Sequence, residues 1–377
     1  MTLPIFREPA PKRGLCASDT RRAAYARPVG LVYADGAVSA VAAGDALPLA
    51  GGPIAFSALE LIARDDRAVH IRRVAVADLK PEALPDGLLH RLTGPRGPLW
   101  TGSDPGEGEA ASMGPAIMGI VNVTPDSFSD GGRFWSRDAA IAQGRRLAEE
   151  GADILDIGGE STRPGAAAVS VAEEIDRVVP VIEVLAREGL RVSVDTRKAE
   201  VMRAALAAGA AIVNDVSALT FDPDAPPFLA GTDCPVILMH MRGEPGTMQA
   251  DPRYDCAPLD VLDELSERVA AAEAAGVARD RLVVDPGFGF AKTADHNIEV
   301  TAWLTLLHGT GRPILFGASR KSSIGVLSRG EPADARLPGS IALALSALEQ
   351  GAQTVRVHDV AETAQAFALR QAILGRS

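Results

Sequence analysis

Cysteine is scarce in this chain of 377 residues, with three copies at Cys16, Cys234 and Cys256. They form no CxxC pair, so the sequence offers neither a disulfide framework nor a cysteine-based zinc site. A sparse and odd set of cysteines is typical of a reducing compartment. We therefore expect a cytoplasmic protein.

Long apolar runs and a surplus of basic residues are also missing. Lysine and arginine number 38 against 49 aspartates and glutamates, a formal net charge of −11. A nucleic-acid surface or an anionic membrane face needs clustered lysine and arginine. No apolar run approaches the ~20 residues that cross a bilayer, and the first residues do not resemble a signal peptide. The sequence thus predicts a soluble protein with no nucleic-acid or membrane partner.

The chain divides at a segment without hydrophobic periodicity, residues 101–114. Its small, acidic and turn-forming residues are those of a linker. Residues 1–100 indicate a small α+β accessory domain of unknown role. In it, LVYADGAVSAV suggests two short strands around a turn at Asp35-Gly36, AFSALELIARDD has helical spacing, and AVHIRRVAV alternates like a strand. Because the linker has no apolar anchor, we expect the rest of the chain to fold without residues 1–113.

From residue 115 to residue 377, one unit is repeated eight times: an apolar β-branched run, a polar turn and an amphipathic helix. The strand candidates are 116–123, 152–159, 191–195, 211–215, 235–240, 282–287, 313–319 and 354–359. Helices are expected at Arg137–Glu150, Val171–Arg187, Lys198–Ala208, Leu259–Ala275 and Ser340–Gln350. Continuously apolar strands are typical of a parallel sheet, and eight right-handed βαβ units close into a (β/α)8 TIM barrel. A doubly wound open sheet is the alternative, but no GxGxxG opens the first helix.

Each predicted strand ends in polar residues that its apolar body does not explain. They are Asn122, Glu160 to Arg163, Asp195, Asn214 with Asp215, His240, Asp285, Ser319 to Lys321, and Arg356 with His358. Any one of them could be a helix cap, but eight polar endings exceed what capping requires. Because the carboxyl ends of barrel strands converge on one mouth, where the active sites of this fold lie, we expect a shared cavity.

The charges at this predicted mouth are sorted into two sides. One side is rich in acceptors: Asp195, Asn214 and Asp285. The other side is rich in donors: Lys321, Arg356 and His358. The donors follow the last two strands, where barrels often hold phosphate. A phosphorylated small molecule with a donor-rich head would satisfy both sides.

Two polar loops follow the first two strands, Thr124–Arg133 and Gly158–Gly165. Both have the glycine, proline and polar residues of active-site lids, although ordinary surface turns have them too. Asp156 and Glu160 could form an acid–base pair, but nothing fixes their separation, and we expect them to form hydrogen bonds within the loop. His240 is expected to be structural.

Eight segments, in order, resemble the motifs of dihydropteroate synthases. Within residues 116–375 they are IMGIVNVTPDSFSDGG, LDIGGESTRPGA, SVDTRKA, VNDVSAL, LMHMRGEPGTMQ, DPGFGFAK, GASRKSSIG and RVHDV. The resemblance implies a transferase of folate biosynthesis that joins 6-hydroxymethyl-7,8-dihydropterin diphosphate to 4-aminobenzoate and releases pyrophosphate. It also implies a Mg²⁺ cofactor, a homodimer and a sulfonamide target.

The resemblance also implies roles for residues at matching positions. The pterin would contact Asp195, Asn214, Met239, Asp285, Phe290 and Lys321. The diphosphate would contact Asn122, Arg163, Arg356 and His358, with Mg²⁺ held through Asn122. The 4-aminobenzoate pocket would contain Phe128, Thr162, Pro164 and Ser322. The catalytic set would be Lys321, Asp130, Arg163 and Asp195, with Asp130 as counter-charge to a pterin cation.

The resemblance is incomplete in two places. Ser217-Ala218 stands where the family has Ser-Gly, and residues 1–100 exceed a minimal family member. Two alternatives stay open. A pterin-binding methyltransferase that acts on a corrinoid protein would not need the SRKS and RVHDV motifs, and a non-catalytic paralogue would be expected to lose a loop residue or a strand-end charge.

Overall fold

The computed structural model describes residues 23–65, 68–96, 115–123, 133–161, 169–244 and 246–374, with backbone alone for 133–136. Its N-terminal part contains a four-stranded antiparallel sheet. The strands are β1 (Tyr25–Tyr33), β2 (Leu47–Pro48), β3 (Ile54–Arg64) and β4 (Val69–Ala75). β3 is central, with β1 on one edge and both β2 and β4 on the other. Two helices accompany this sheet: α1 (Ala34–Ala43) and α2 (Leu88–Thr93).

The remainder forms an eight-stranded parallel barrel. Its strands are β5 (Ala116–Asn122), β6 (Ile154–Gly158), β7 (Val192–Asp195), β8 (Ile212–Asp215), β9 (Val236–Met239), β10 (Leu282–Asp285), β11 (Leu315–Phe316) and β12 (Thr354–Val357). Neighbours in the sheet follow chain order from β5 to β10, and β12 pairs with both β5 and β11. A parallel bridge between Val284 and Ile314 joins β10 to the residue before β11 and closes the barrel. The TIM barrel expected from the sequence is confirmed, and each predicted strand region contains a strand.

Helices cover the outside of the barrel. They are α3 (Arg133–Glu149), α4 (Val171–Arg187), α5 (Ala199–Ala207), α6 (Ala225–Ala230), α7 (Ala257–Ala274), α8 (Ala294–Ala302), α9 (Ser322–Leu327), α10 (Leu337–Glu349) and α11 (Val360–Leu374). The helix α4 shows why they form. The Ser170 side chain caps it by accepting from the Glu173 backbone N–H at 3.3 Å. The buried residues Val178, Val181, Ile182 and Leu185 recur at helical spacing and face the strands.

The barrel strands are buried on both faces. One hydrophobic cluster fills the space between strands and helices. A separate cluster takes one residue from each of six strands: Met118, Ile154, Ile212, Ile237, Val283 and Leu315. Side chains stacked in this way fill the interior of a barrel of this size. Burial on both sides explains why the strand sequences are continuously apolar.

Two sequence predictions for the N-terminal part are wrong. The turn expected at Asp35-Gly36 lies in the first turn of α1, where an acidic side chain is tolerated and the alanines that follow favour a helix. The segment expected to be a helix is the central strand β3. β3 is buried on both faces, so its apolar residues do not alternate, and its spacing imitates that of a helix.

The antiparallel sheet packs against the barrel. Ile62 and Val69 belong to the same hydrophobic cluster as the barrel residues. Thr305 donates to the Pro28 carbonyl at 2.8 Å, and the buried guanidinium of Arg96 donates to the His308 carbonyl at 3.0 Å. The linker predicted at 101–114 lies outside the described residues. No helix in the described ranges is long and apolar enough to span a membrane.

Candidate active site

The predicted site residues that the structure describes lie at the carboxyl ends of the barrel strands or directly after them. They are Asn122, Asp195, Asn214, Met239, Asp285, Phe290, Lys321, Ser322, Arg356 and His358. The remaining predicted site residues lie outside the described ranges: Phe128, Asp130, Thr162, Arg163 and Pro164. Their roles stay predictions.

A partly buried arginine joins the two sides of the mouth. Arg356 projects from β12, and its Nε donates to Asp156 Oδ2 at 2.5 Å while its Nη2 donates to Asp195 Oδ2 at 2.7 Å. Burial acts to lower the pKa of Arg356, but the carboxylates of Asp156 and Asp195 raise it. The main cation expected to hold a diphosphate therefore touches the acceptor side directly.

Asp156 is a site residue that sequence reasoning missed. It lies on β6 with 0% of its surface exposed, and the Oδ2 that binds Arg356 also accepts from Asn214 Nδ2 at 3.0 Å. Its Oδ1 is buried and has no hydrogen-bond partner among the described residues. The expectation of hydrogen bonding within the loop is wrong for Asp156. Glu160 accepts from the Val169 backbone N–H at 3.2 Å, beyond the predicted loop, and also pairs with Arg197 at 3.4 Å and Lys198 at 3.3 Å. One charged residue inside the apolar run ILDIG was the available signal, because a buried charge requires a partner.

Asp285 lies across the same space from Arg356. A methyl group built on Gly317 would lie 3.6 Å from Arg356 Cβ and 3.9 Å from Asp285 Oδ2. Burial raises the pKa of Asp285 to about 6, against the opposing effects of the Gly287 N–H, Lys321 and Arg356. Burial also raises the pKa of Asp195, although Arg356 counteracts it. Acids and bases thus share one cavity, as the sequence predicted.

An apolar wall lies beside the acceptor side of the mouth. Met239 and Phe290 belong to one buried cluster with Val216, Met248 and Ala291. The Nζ of Lys321 lies 4.1 Å from the centroid of the Phe290 ring, which is cation–π distance. A flat aromatic face next to a cation and buried carboxylates suits a planar heterocycle that carries N–H donors and an oxo group.

The turn after β10 presents Phe290 and is held from several directions. Gly287 has φ +65°, and a methyl group on it would lie 1.9 Å from the His240 carbonyl, so only glycine fits. Lys292 Nζ donates to the carbonyls of Gly287 and Phe290, each at 3.1 Å. Asn297 Oδ1 accepts from the Gly289 N–H at 2.8 Å. Sequence analysis did not identify Lys292 or Asn297, since neither ends a strand.

His358 is a neutral hydrogen-bonding group rather than a cation. Its Nδ1 lies 3.0 Å from Ser319 Oγ, and burial together with the positive charge of Arg356 lowers its pKa to about 3. Arg320 pairs with Asp359, at 3.0 Å from its Nε. The positive charge on the donor side therefore comes from Arg356 and Lys321.

Asn122 and Ser322 lie at the edges of the mouth. Ser322 is the exposed first residue of α9, as predicted. Asn122 is half-buried at the end of β5, and its amide oxygen is the hard type of ligand that suits Mg²⁺. Across the described ranges no group of three His, Cys, Asp or Glu side chains could hold a metal.

Comparison with known proteins gives consistent matches to the barrel. The family described as "Pterin binding enzyme" matches residues 118–358. The chain is 48% identical to dihydropteroate synthase of Escherichia coli K12 over 261 residues, which cover 69% of this chain and 92% of that protein. It is 50% identical to dihydropteroate synthase of Neisseria meningitidis serogroup C over 264 residues, 69% of this chain and 93% of that protein.

Solved structures agree with these relatives. Dihydropteroate synthase of Xanthomonas albilineans with 4-aminobenzoic acid is 53% identical, with a TM-score of 0.65 and coverage of 69% of this chain and 93% of that chain. The same enzyme in complex with 7,8-dihydropteroate is 50% identical, with a TM-score of 0.63 and coverage of 69% and 94%. Since the family match runs from β5 to β12 and includes the mouth, the chain belongs to the dihydropteroate synthase family of pterin-binding enzymes.

Proposed function

We propose that the mouth of the barrel joins 6-hydroxymethyl-7,8-dihydropterin diphosphate to 4-aminobenzoate, giving 7,8-dihydropteroate and pyrophosphate for folate biosynthesis. The chain is accordingly a transferase. The observation that carries the proposal is the contact of Arg356 with Asp156 and Asp195, which puts a phosphate-binding cation within 2.7 Å of acceptors for an amino-pyrimidine edge. The related X. albilineans enzyme has been solved with 4-aminobenzoic acid and with 7,8-dihydropteroate.

The pterin ring would bind between the buried acids and the apolar wall. Asp195, Asn214 and Asp285 would accept hydrogen bonds from its N–H edge. Phe290 and Met239 would pack on the ring, and Lys321 would donate to its oxo group. A ligand without this N–H edge leaves buried acids unpaired, which costs free energy and gives specificity.

Departure of the diphosphate would be assisted by the donor side. The bond between the pterin methylene carbon and the diphosphate oxygen breaks, and Arg356 exchanges part of its carboxylate contacts for phosphate oxygens. Neutral His358 donates one hydrogen bond, and Arg163 is proposed to add a second cation. When bound, Mg²⁺ would supply further neutralisation of the leaving charge through Asn122.

The amine of 4-aminobenzoate would then attack the methylene carbon. The new C–N bond forms and the amine proton passes to the released pyrophosphate or to solvent, while Asp130 in our proposal balances the positive charge on the pterin before the attack. Positioning matters more here than a strong base. Phe128, Thr162, Pro164 and Ser322 would shape the pocket of this second substrate. The homodimer and the cytoplasmic location stay predictions.

A turnover assay tests the proposal. Purified protein should release pyrophosphate only when the pterin diphosphate, 4-aminobenzoate and Mg²⁺ are all present. Chelation should stop the release, and added Mg²⁺ should restore it. Pterin binding without turnover would favour the non-catalytic paralogue, and methyl transfer from methyltetrahydrofolate would favour the methyltransferase.

A sulfonamide provides a further check of the second-substrate pocket. Dihydropteroate synthase of Yersinia pestis, 47% identical with a TM-score of 0.65 and coverage of 69% of this chain and 94% of that chain, has been solved with a sulfonamide drug complex. We expect a sulfonamide to compete with 4-aminobenzoate in this chain, raising the apparent KM for 4-aminobenzoate without lowering kcat. Inhibition that 4-aminobenzoate cannot overcome would contradict this expectation.

A further inference from the structure

We propose that the N-terminal antiparallel sheet positions the pterin-binding turn of the barrel through an unbroken series of charged side chains and one neutral histidine. The series, called here the ionic chain, consists of Arg64, Asp260, Arg242, Glu264, His240 and Lys292. It starts on β3 and ends on the turn that carries Phe290. The inference rests on the proposed function only in taking this turn as part of the pterin site.

The outer half of the ionic chain crosses from the sheet to the barrel. Arg64, the last residue of β3, lies 2.5 Å from Asp260 Oδ1 and 2.6 Å from Asp263 Oδ2 on α7. Asp260 is 9% exposed, and its Oδ2 accepts from the Asp255 backbone N–H at 3.0 Å and lies 3.7 Å from Arg242 Nη2. Arg64 thereby neutralises and fixes a buried carboxylate that also attracts Arg242.

The inner half is more deeply buried. Arg242 Nε donates to Glu264 Oε1 at 2.7 Å, and Glu264 Oε2 lies 3.1 Å from His240 Nε2. His240 Nδ1 lies 2.8 Å from Lys292 Nζ. Because an ammonium can only donate, Nδ1 accepts, and the Nε2 proton of His240 faces Glu264. His240 and Lys292 are each 3% exposed, so the hydrogen bond between them is shielded from water, whereas Arg242 and Glu264 are partly exposed.

The ionic chain ends on backbone groups of the pterin-binding turn. The ammonium of Lys292 divides its hydrogens among His240 Nδ1, the Gly287 carbonyl and the Phe290 carbonyl. Any displacement of Lys292 would leave buried carbonyls without a donor, so the turn follows the position of this lysine. Arg64 lies before residue 118, where the family match begins. This contact therefore gives the N-terminal sheet a role that the matched region does not account for.

The test substitutes Arg64→Met and compares it with Arg27→Met. Arg27 is a matched control, since it also lies in the antiparallel sheet and packs on the barrel, 4.3 Å over the Trp303 ring, but its ion pair is with Glu60. We expect Arg64→Met to raise the KM for the pterin diphosphate about three- to tenfold, with kcat and the KM for 4-aminobenzoate within about twofold. Arg27→Met should leave all three within about twofold.

A double-mutant cycle distinguishes an effect that passes through the ionic chain from a general loss of rigidity in the protein. In a Glu264→Gln background, the effect of Arg64→Met on the pterin KM should shrink to less than about twofold. Equal effects in both backgrounds would overturn the proposal, as would equal effects of Arg64→Met and Arg27→Met. Circular dichroism and thermal melting check folding. Arg64→Lys keeps the charge, so its KM for the pterin diphosphate should lie between those of the unmodified chain and Arg64→Met.

Binding of 6-hydroxymethyl-7,8-dihydropterin, measured by the fluorescence of the pterin, distinguishes failure of the proposed function from failure of the ionic-chain proposal. If the unmodified chain binds this pterin but releases no pyrophosphate, the proposed function fails and the ionic chain can still be tested by the Kd. If the unmodified chain turns over and neither the Kd nor the KM changes in Arg64→Met, the ionic chain is refuted and the proposed function stands.

Discussion

At the scale of single residues, Asp156 connects the proposed pterin and diphosphate sides of the mouth, because one of its oxygens accepts from both Asn214 and Arg356. We predict that Asp156→Asn lowers kcat/KM for the pterin diphosphate on the order of 100-fold. A neutral amide holds Arg356 less firmly, and the guanidinium then shifts toward Asp195. Steady-state kinetics with the pterin diphosphate varied measures the effect.

The control is the same substitution at the opposite end of β6. Asp153 accepts from the Ile117 backbone N–H at 2.8 Å, outside the mouth, so Asp153→Asn should affect stability and leave kcat/KM within about twofold. Equal kinetic losses in the two variants, or none in Asp156→Asn, would remove Asp156 from the site.

The same residues show which parts of the site could be predicted from the sequence. Asp195, Asn214 and Asp285 were predictable because each ends an apolar strand, and the barrel brings strand ends together. Asp156 lies inside its strand, so only the shape of the closed barrel reveals that it faces Arg356. The neutral state of His358 was equally hidden, because it depends on burial next to a cation.

At the scale of elements, the turn between β10 and α8 is the most constrained segment of the described mouth. We predict that Gly287→Ala lowers kcat/KM for the pterin diphosphate on the order of 100-fold, because the added methyl collides with the His240 carbonyl and displaces Phe290. Gly189→Ala is the matched control: its φ is +81° but nothing lies within 4 Å, so it should cost only about 1 kcal/mol of stability. Kinetics and thermal melting of both variants distinguish displacement of this turn from backbone strain alone. Similar kinetics in the two variants would contradict the assignment of this turn to the site.

The elements also mark where sequence reasoning failed. The barrel strands and helices were predictable from eight repeats of one pattern, whereas β3 and α1 belong to no repeat. β3 packs on the barrel through Ile62 on one face and on its own small core through Leu59 and Leu61 on the other, so both faces carry buried apolar residues. The hydrophobic periodicity of one segment does not show which other part of the chain packs against it.

At the scale of the whole molecule, that interface leads to a prediction that differs from the one drawn from the linker. The sequence predicts that the barrel folds alone without residues 1–113, since 101–114 has no apolar anchor. The anchors lie elsewhere, in the Ile62 and Val69 side chains and in the buried guanidinium of Arg96. Arg96 donates to the Arg91 and His308 carbonyls and lies close to His308 Nδ1, and burial together with the positive charge of Arg312 lowers the pKa of Arg96 to about 9.

We therefore predict that a chain starting at residue 115 is less stable than the full chain. Its barrel would expose the apolar surface that Ile62 covers and would lose the ion pairs of Arg64 with α7. A loss of about 3–5 kcal/mol corresponds to a melting temperature lower by roughly 10 °C or more for a domain of this size. Circular dichroism measures the melting, and light scattering measures aggregation. Deleting residues 1–22 alone is the control, because it leaves β1 to β4 and Arg96 in place. A barrel from residue 115 that stays monodisperse and melts with the full chain would show that the sheet is dispensable for stability.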